Sequence, residues 1–377
     1  MKKLAVIAFA ALVAFSACSK VESEPRPAEK VTFAVGTYAA NTKGASLSTD
    51  GITTFRSMGY LYALDGNAVS TTAQSFFGAE GETISYNSTT NEWLPSHNYY
   101  WPKSNRSYVN FVSWYDKNEE GKTDATGKPV VSETSFTISN RTIVADDAIL
   151  IADEAWRFQG NTTNASQYEG DTILSGVPTL FHHLLSRVEI KIHATTTVDP
   201  DNANNTYVVV LQSATLRGMY NTGNLDLVNA DPETASTLVP WNNRVAANQT
   251  LRWAPNTESS ETSTIVSSNT TLTTEYTTIL AERSFMPQRL PDAAVLNLVF
   301  TVTSKSNGTV TSSECDIPAS LVINTVLNSN NQRMDLWLPN TIYTYSIAIN
   351  PISQAILLNP TVETDWTNGQ SLSAVVE

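Results

Sequence analysis

Sulfur, positive charge and long apolar runs are all scarce in this chain. Its two cysteines, Cys18 and Cys315, and four histidines in 377 residues supply neither a disulfide framework nor the paired spacings of a structural metal site. Lysine and arginine total 23 against 36 acidic residues, a formal charge of −13. Nucleic acid and anionic membrane surfaces, which need basic patches, are therefore disfavoured as partners. The longest apolar run, Leu4 to Phe15, has 12 residues, where about 20 are needed to span a bilayer as a helix. Helical periodicity is almost missing. So are the P-loop, the dinucleotide-binding glycine motif and the Gly-x-Ser-x-Gly elbow, and the chain reads as a non-enzyme without cofactors.

What is there begins with an export signal. Met1-Lys2-Lys3 is a positive n-region, the run from Leu4 to Phe15 is the apolar region, and Ser16-Ala17 are small residues before Cys18. Phe15-Ser16-Ala17-Cys18 resembles a bacterial lipobox, with Phe15 where leucine is commoner. It predicts a signal peptide over 1–17, cut before an acylated Cys18, with outer-membrane lipid as the first partner. Several acyl chains anchor a protein stably where one does not. Loss of Lys2 and Lys3 takes the formal charge to −15, and Cys315 is left as the only free thiol, so no intrachain disulfide can form. It reads as a small residue at a strand end. Residues 18–30 are charged, hold Pro25 and Pro27, and have no apolar period, so they read as a flexible tether. Ser19-Lys20-Val21-Glu22 loosely resembles the signal that sends lipoproteins to the outer face of the outer membrane.

The rest is dominated by period-two alternation, the mark of a sheet with one buried face. It is clearest in 31–38, 107–115, 187–193, 297–303 and 342–349. Ala145 to Ile151 and Leu180 to Leu185 read as short helices. The class is all-β, of sandwich type. Length favours two tandem β-sandwich domains, 31–176 and 177–377, parted by the polar stretch from Asn161 to Gly176. The polar run from Asn256 to Thr278 reads as an exposed hairpin or loop.

Residues that elsewhere carry chemistry read as structural here. His182 and His183 are adjacent on a strand and point to opposite faces, and no carboxylate or cysteine completes a ligand set with them. Asp146, Asp147, Asp153 and Glu154 lack the ordered oxygen ligands of a calcium loop. Tyr99, Tyr100 and Trp101 suit a core edge better than a sugar-stacking face. The Asn-x-Ser/Thr triplets follow from composition.

Several landmarks carry a family resemblance. After the lipobox and tether comes an early strand leading to Asn41-Thr42-Lys43-Gly44, then Tyr99-Tyr100-Trp101-Pro102 with Val109-Asn110-Phe111 behind it. Asp147 to Ala152 follows, then His182 to Val188, Asn340 to Ile349, and Val362-Glu363-Thr364-Asp365-Trp366. In order and spacing the chain resembles a Bacteroidales fimbrillin, the lipoprotein-derived subunit of a type V pilus. The resemblance implies two β-sandwiches of transthyretin-like, Greek-key type, and a cell-surface fimbria built from this and other subunits. It also implies proteolytic removal of the first strand, whose inward set is Val31, Phe33 and Val35, and filling of the groove by a neighbour's strand. Lys43 matches the protease site, with Arg56 as runner-up. The apolar segments available as donors are Ala355 to Leu358 and Gln370 to Val376, the latter through Leu372, Val375 and Val376. Thr172 in Asp171-Thr172-Ile173 resembles the O-glycosylation acceptor of this bacterial group. A host or bacterial receptor is the further partner implied. The alternative is a monomeric outer-membrane lipoprotein that binds glycans or host ligands and keeps its first strand.

Overall fold

Alternating valine, isoleucine, threonine and aromatic residues make strands of this chain from end to end. The computed structural model describes residues 30–37, 52–65, 68–69, 72–101, 107–118, 127–153, 155–158, 176–228, 241–246, 251–252, 269–323, 326 and 334–364. Among them there are strands and no α-helix.

The first part of the chain closes a ring. Its seven strands are β1 (Phe33–Thr37), β2 (Thr54–Asp65), β5 (Glu82–Asn87), β6 (Glu92–Pro95), β7 (Ser107–Asp116), β10 (Ile149–Ala152) and β12 (Val177–His183). They pair in the cyclic order β1-β6-β5-β2-β7-β10-β12 and back to β1. The short strands β3 (Ala68–Val69) and β4 (Gln74–Ser75) pair with β2, and β11 (Ala155–Phe158) with β7. Alternate ring residues fill the interior as one cluster, among them Phe33, Phe55, Ile84, Trp93, Phe111, Leu150 and Phe181. A ring of this size encloses just enough space for side chains.

Closure corrects the expectation of a two-sheet sandwich here. β2 pairs with β5 along one flank and with β7 along the other, from Arg56↔Trp114 to Ala63↔Ser107, so the sheet returns on itself. Hydrogen bonding also crosses the boundary expected at residue 176, because β12, the strand just after it, is a member of the ring.

A second core lies outside the ring. β8 (Pro129–Ser132), β9 (Ser135–Thr142), β15 (Tyr220–Val228) and β16 (Trp241–Ala246) form a sheet of order β16-β15-β9-β8, joining early and late parts of the chain. Phe136, Ile138, Leu225, Leu227 and Trp241 from this sheet pack with Val112, Trp114, Ile149 and Ile151 from the outer face of β7 and β10. These two ring strands are thus apolar on both faces. That is why 145–151 lacks alternation and mimics a helix, and a strand buried on both sides reads as a continuous apolar run. Residues 177–183, the other stretch read partly as helical, keep a regular buried and half-buried alternation in β12.

The later part holds two facing sheets. β13 (Ser186–Ala194), β19 (Thr277–Phe285), β24 (Thr341–Ile349) and β25 (Ile356–Thr364) form one, in the order β19-β13-β24-β25. In the other, β14 (Asn205–Arg217), β21 (Val295–Ser306) and β22 (Thr309–Val322) lie in sequence, with β17 (Leu251–Arg252) and β18 (Thr270–Leu272) also on β14. Val188, Ile190, Leu211, Leu298, Phe300, Tyr345 and Ile347 share their core. The pair β20 (Gln288–Arg289) and β23 (Leu336–Trp337) lies beside it. Cys315 is exposed within the edge strand β22, not at a strand end. There a register shift, Asp316 at positive φ and Pro318 break the edge against further pairing.

Between the ring and the second core sits a buried ion cluster. Arg141 of β9 uses all five of its donors. Its Nη1 and Nη2 donate to Asp116 at 2.9 and 2.7 Å, Nε and Nη2 to Asp147 at 3.1 and 2.7 Å, and Nη1 to the Gly127 carbonyl at 2.7 Å. The three charged side chains are all but fully buried. The Ser284 hydroxyl reaches the Asp147 carbonyl oxygen at 2.6 Å and ties β19 to the same corner. Removing one member strands the others without water. Arg141→Met is expected to cost about 3–5 kcal/mol, read as the shift of a urea unfolding midpoint at constant m. A loss under about 1 kcal/mol would show that the cluster is not a support of the junction.

Candidate functional site

The site is the seat of the first strand. Val31, Phe33 and Val35 are 1%, 3% and 7% exposed, while Thr32 and Ala34 between them are half-buried. Phe33 is the anchor. Its ring stands edge-on to Phe55 and Phe111, both with centroids 5.6 Å away, and tilted to Phe77 at 6.3 Å. Phe55 in turn contacts Phe181 at 5.2 Å and Trp93 at 5.3 Å. Such pairs contribute about 0.5–1.5 kcal/mol each beyond their burial.

The two flanks of β1 are unequal. Along β12 it runs parallel from Phe33↔Val177 to Thr37↔Phe181, and the Val177 N–H donates to the Thr32 carbonyl at 2.7 Å. Along β6 the described register is the single position Phe33↔Trp93. Beyond β6 the strand is held by the Val31 N–H donating to the Tyr99 carbonyl at 3.0 Å and by the bridge Lys30↔Tyr100. Gly176 makes the tight flank achievable. Its φ is +135°, and a Cβ there would lie 2.9 Å from the Phe33 carbonyl carbon and 3.0 Å from the Thr32 oxygen. Only glycine fits both the conformation and the approach.

The weaker flank is clasped from behind by Glu82, which is 5% exposed at the start of β5. Its carboxylate accepts hydrogen bonds from the Ser96 hydroxyl and from the Tyr99 hydroxyl at 2.8 Å, and His97 Nδ1 lies 3.2 Å away. Tyr99 packs on Phe77 at 4.7 Å and on Phe76 at 5.7 Å. Burial, then the hydrogen bond to Glu82 and its charge, push the Tyr99 phenol up to about 12. Burial alone would raise the Glu82 carboxyl. The hydrogen bonds from Ser96, Tyr99 and His97 outweigh it and hold the group below its usual value. Tyr99 thus joins the buried carboxylate to the backbone of β1.

The sequence matches no protein-family model and no curated protein. Its fold has counterparts among crystal structures. A fimbrial protein from Bacteroides vulgatus superimposes with a TM-score of 0.59 at 15% identity, covering 90% of this chain and 99% of its own. This chain has the fold of a Bacteroidales fimbrial protein. A Bacteroides uniformis protein provisionally assigned to cell adhesion also matches over 90% of this chain and 98% of its own, at a TM-score of 0.41 and 15% identity.

Within this fimbrial fold the residues singled out from sequence have different fates. Val31, Phe33 and Val35 are brought together in the ring interior, as their alternation predicts. Arg56 lies mid-strand in β2, paired with Thr83 on one side and Trp114 on the other. Its guanidinium reaches the Glu80 carbonyl and lies 6.0 Å from the centre of the Trp114 ring. A protease needs several extended, unpaired residues, and Arg56 offers none. Cys18, Lys43, Thr172 and the apolar stretch from Gln370 to Val376 lie outside the described residues. Ile356 to Leu358, part of the other donor candidate, is built into β25 against β24.

The acidic and histidine residues are dispersed. Asp146 pairs with Lys117 at 2.9 Å, Asp147 with Arg141, and Asp153 with His182 at 2.9 Å, while His183 is buried on the opposite face. Among the described residues no group of three or more could hold a metal ion. Tyr99 and Trp101 turn inward, and Tyr100 is 45% exposed. Sequence reasoning missed Glu82 because a lone glutamate beside a strand carries no pattern. It missed the role of Gly176 because glycine next to a polar stretch looks like a linker.

Two outcomes follow from the seat and its clasp. Gly176→Ala forces a side chain against the β1 backbone at a strained φ and is expected to lower stability by about 1–3 kcal/mol. It should also speed tryptic release of the first strand, so an unchanged melting temperature and digestion rate would refute the close approach. Glu82 has a depressed folded pKa. Its contribution is therefore complete above the usual carboxylate value of about 4.3 and is lost as pH falls through the lower folded value. In thermal melts Glu82→Gln should be less stable than the parent at pH 7, and the gap should close at strongly acid pH. A gap independent of pH would mean that the carboxylate charge does not hold the clasp.

Proposed function

We propose that this chain is a non-enzymatic subunit of a cell-surface fimbria, exported as a lipoprotein acylated at Cys18. In this reading it joins its neighbours by strand exchange after β1 is cut away. The observation that carries the reading is the placement of β1. It is inserted between β12 and β6 in a ring that is otherwise continuous, and its three inward side chains lie in the centre of the ring core. Taking it out converts an edgeless ring into an open six-stranded sheet. That sheet would have unpaired backbone groups on β12 and β6 and an apolar trough between them. Such a trough is relieved by a strand from another chain, with main-chain bonds giving affinity and alternate side chains giving fit. The fold shared with a fimbrial protein supports the same reading. Lys43 lies six residues beyond the end of β1, at Thr37, and cleavage there frees the whole strand.

The test is trypsin digestion of the purified, unlipidated chain, with sequencing of the new amino terminus and gels of heated and unheated samples. Cleavage after Lys43, followed by a ladder that collapses on heating, is expected. Lys43→Gln should remove both the new terminus and the ladder. A chain clipped after Lys43 that sheds β1 and stays monomeric would overturn strand exchange, in favour of a surface lipoprotein that binds ligands as a monomer.

A further inference from the structure

The seat of β1 is selective about what replaces it. Five positions pair in register along β12, which fixes a parallel direction and makes Phe33 the residue that faces both Val177 and Trp93. The space that Phe33 fills is walled by Phe55, Phe77 and Phe111 at centroid separations of 5.6–6.3 Å. The flanking places, two residues either way, hold Val31 and Val35, 1% and 7% exposed. From this geometry, and resting on the strand-exchange reading above, we infer that the ring takes a particular kind of strand. It runs parallel to β12 and carries an aromatic side chain at its centre, with β-branched side chains two residues to either side.

The cause is cavity cost. Packed cores relax only partly around a missing ring, so a methyl group at the Phe33 place leaves a void among three phenylalanines that cannot close on it. The flanking places are undemanding by comparison, because one branched side chain fills each. The main-chain bonds are alike for any sequence, and discrimination therefore rests on the central position.

The rule sorts candidates within this chain. In residues 370–377 the apolar alternation is Leu372-x-Ala374-x-Val376, with alanine where β1 has phenylalanine. Shifted by one residue, the inward set is Ser373, Val375 and Glu377, which is worse. In these two registers that segment fills the seat less well than β1 does.

The experiment uses the full chain clipped after Lys43, or at a protease site substituted there, with the released β1 washed out under mild denaturant. Three labelled peptides are then titrated by fluorescence anisotropy: residues 30–38, the same peptide with Phe33→Ala, and residues 368–377. The native peptide should bind, and the Phe33→Ala peptide on the order of a hundredfold more weakly, which is the loss expected for a phenyl-sized cavity. The 368–377 peptide should bind no better than the Phe33→Ala peptide. Equal binding of native and Phe33→Ala peptides would overturn the selective seat and leave strand exchange standing. Tight binding of the 368–377 peptide would overturn the requirement for an aromatic side chain at the central place. Binding of none of the three would remove strand exchange itself, and the inference with it.

Discussion

Closure of the first ring is the constraint on which the rest of this molecule depends, and it runs through a single five-residue strand. A sheet that ends in open edges must blunt them with bulges, prolines or charge, as β22 does with Asp316 and Pro318. Each of β12 and β6 carries a proline, Pro178 and Pro95, but neither strand is an open edge while β1 is in place. Phe33 gives that closure its strength, because the aromatic cluster of Phe55, Phe77 and Phe111 is packed around it. Without that side chain the interior has a hole at its middle. Without the strand it has a slot along its whole length.

The ring holds β1 unevenly, and the unevenness has a structural logic. One flank is a continuous parallel ladder on β12, made close by Gly176. The other flank meets β6 at one position and is completed by the carbonyl of Tyr99, which the buried Glu82 carboxylate steadies through the phenol. Parallel pairing is slightly the weaker kind per residue, and a flank with few ladder bonds opens more readily than one with many. The strand is held chiefly by side-chain burial. A replacement therefore competes on the fit of its side chains more than on its hydrogen bonds.

The all-β class and the positions of several long strands could be read from residues alone. Runs such as Arg187 to His193 and Ile342 to Ile347 alternate in sequence and alternate in burial. Val31, Phe33 and Val35 likewise showed their inward face before any neighbour was known. Illegible were the features fixed by distant partners. Ile149 to Ile151 looks helical because both faces of β10 are covered, one by the ring interior and one by the second core. The ring itself was invisible because its closing bonds join residues near 33 to residues near 177, and alternation says which face is buried but not which strand lies alongside. Gly176 and Glu82 carry no periodic signal. Each matters through one contact with the backbone or loop that positions β1.

The position of β1 within the ring bears on what its loss would do. In the cyclic order it lies three strands from β7 by way of β12 and β10, and four by way of β6, β5 and β2. The wall that faces the second core, formed by β7 and β10, thus does not adjoin β1. Among the described residues, β1 contributes to the ring core and not at all to the junction core. The Arg141 cluster is anchored in β7, β9 and the loop before β10, and it too is remote from the seat. Interactions in separate clusters are close to additive. The stability that removal of β1 takes from the ring is therefore not also drawn from the junction or from the facing sheets of the later half. A ring can be opened on one side and remain attached on the other only if its core is divided in this way, and the division is visible in which face of each strand the apolar residues occupy.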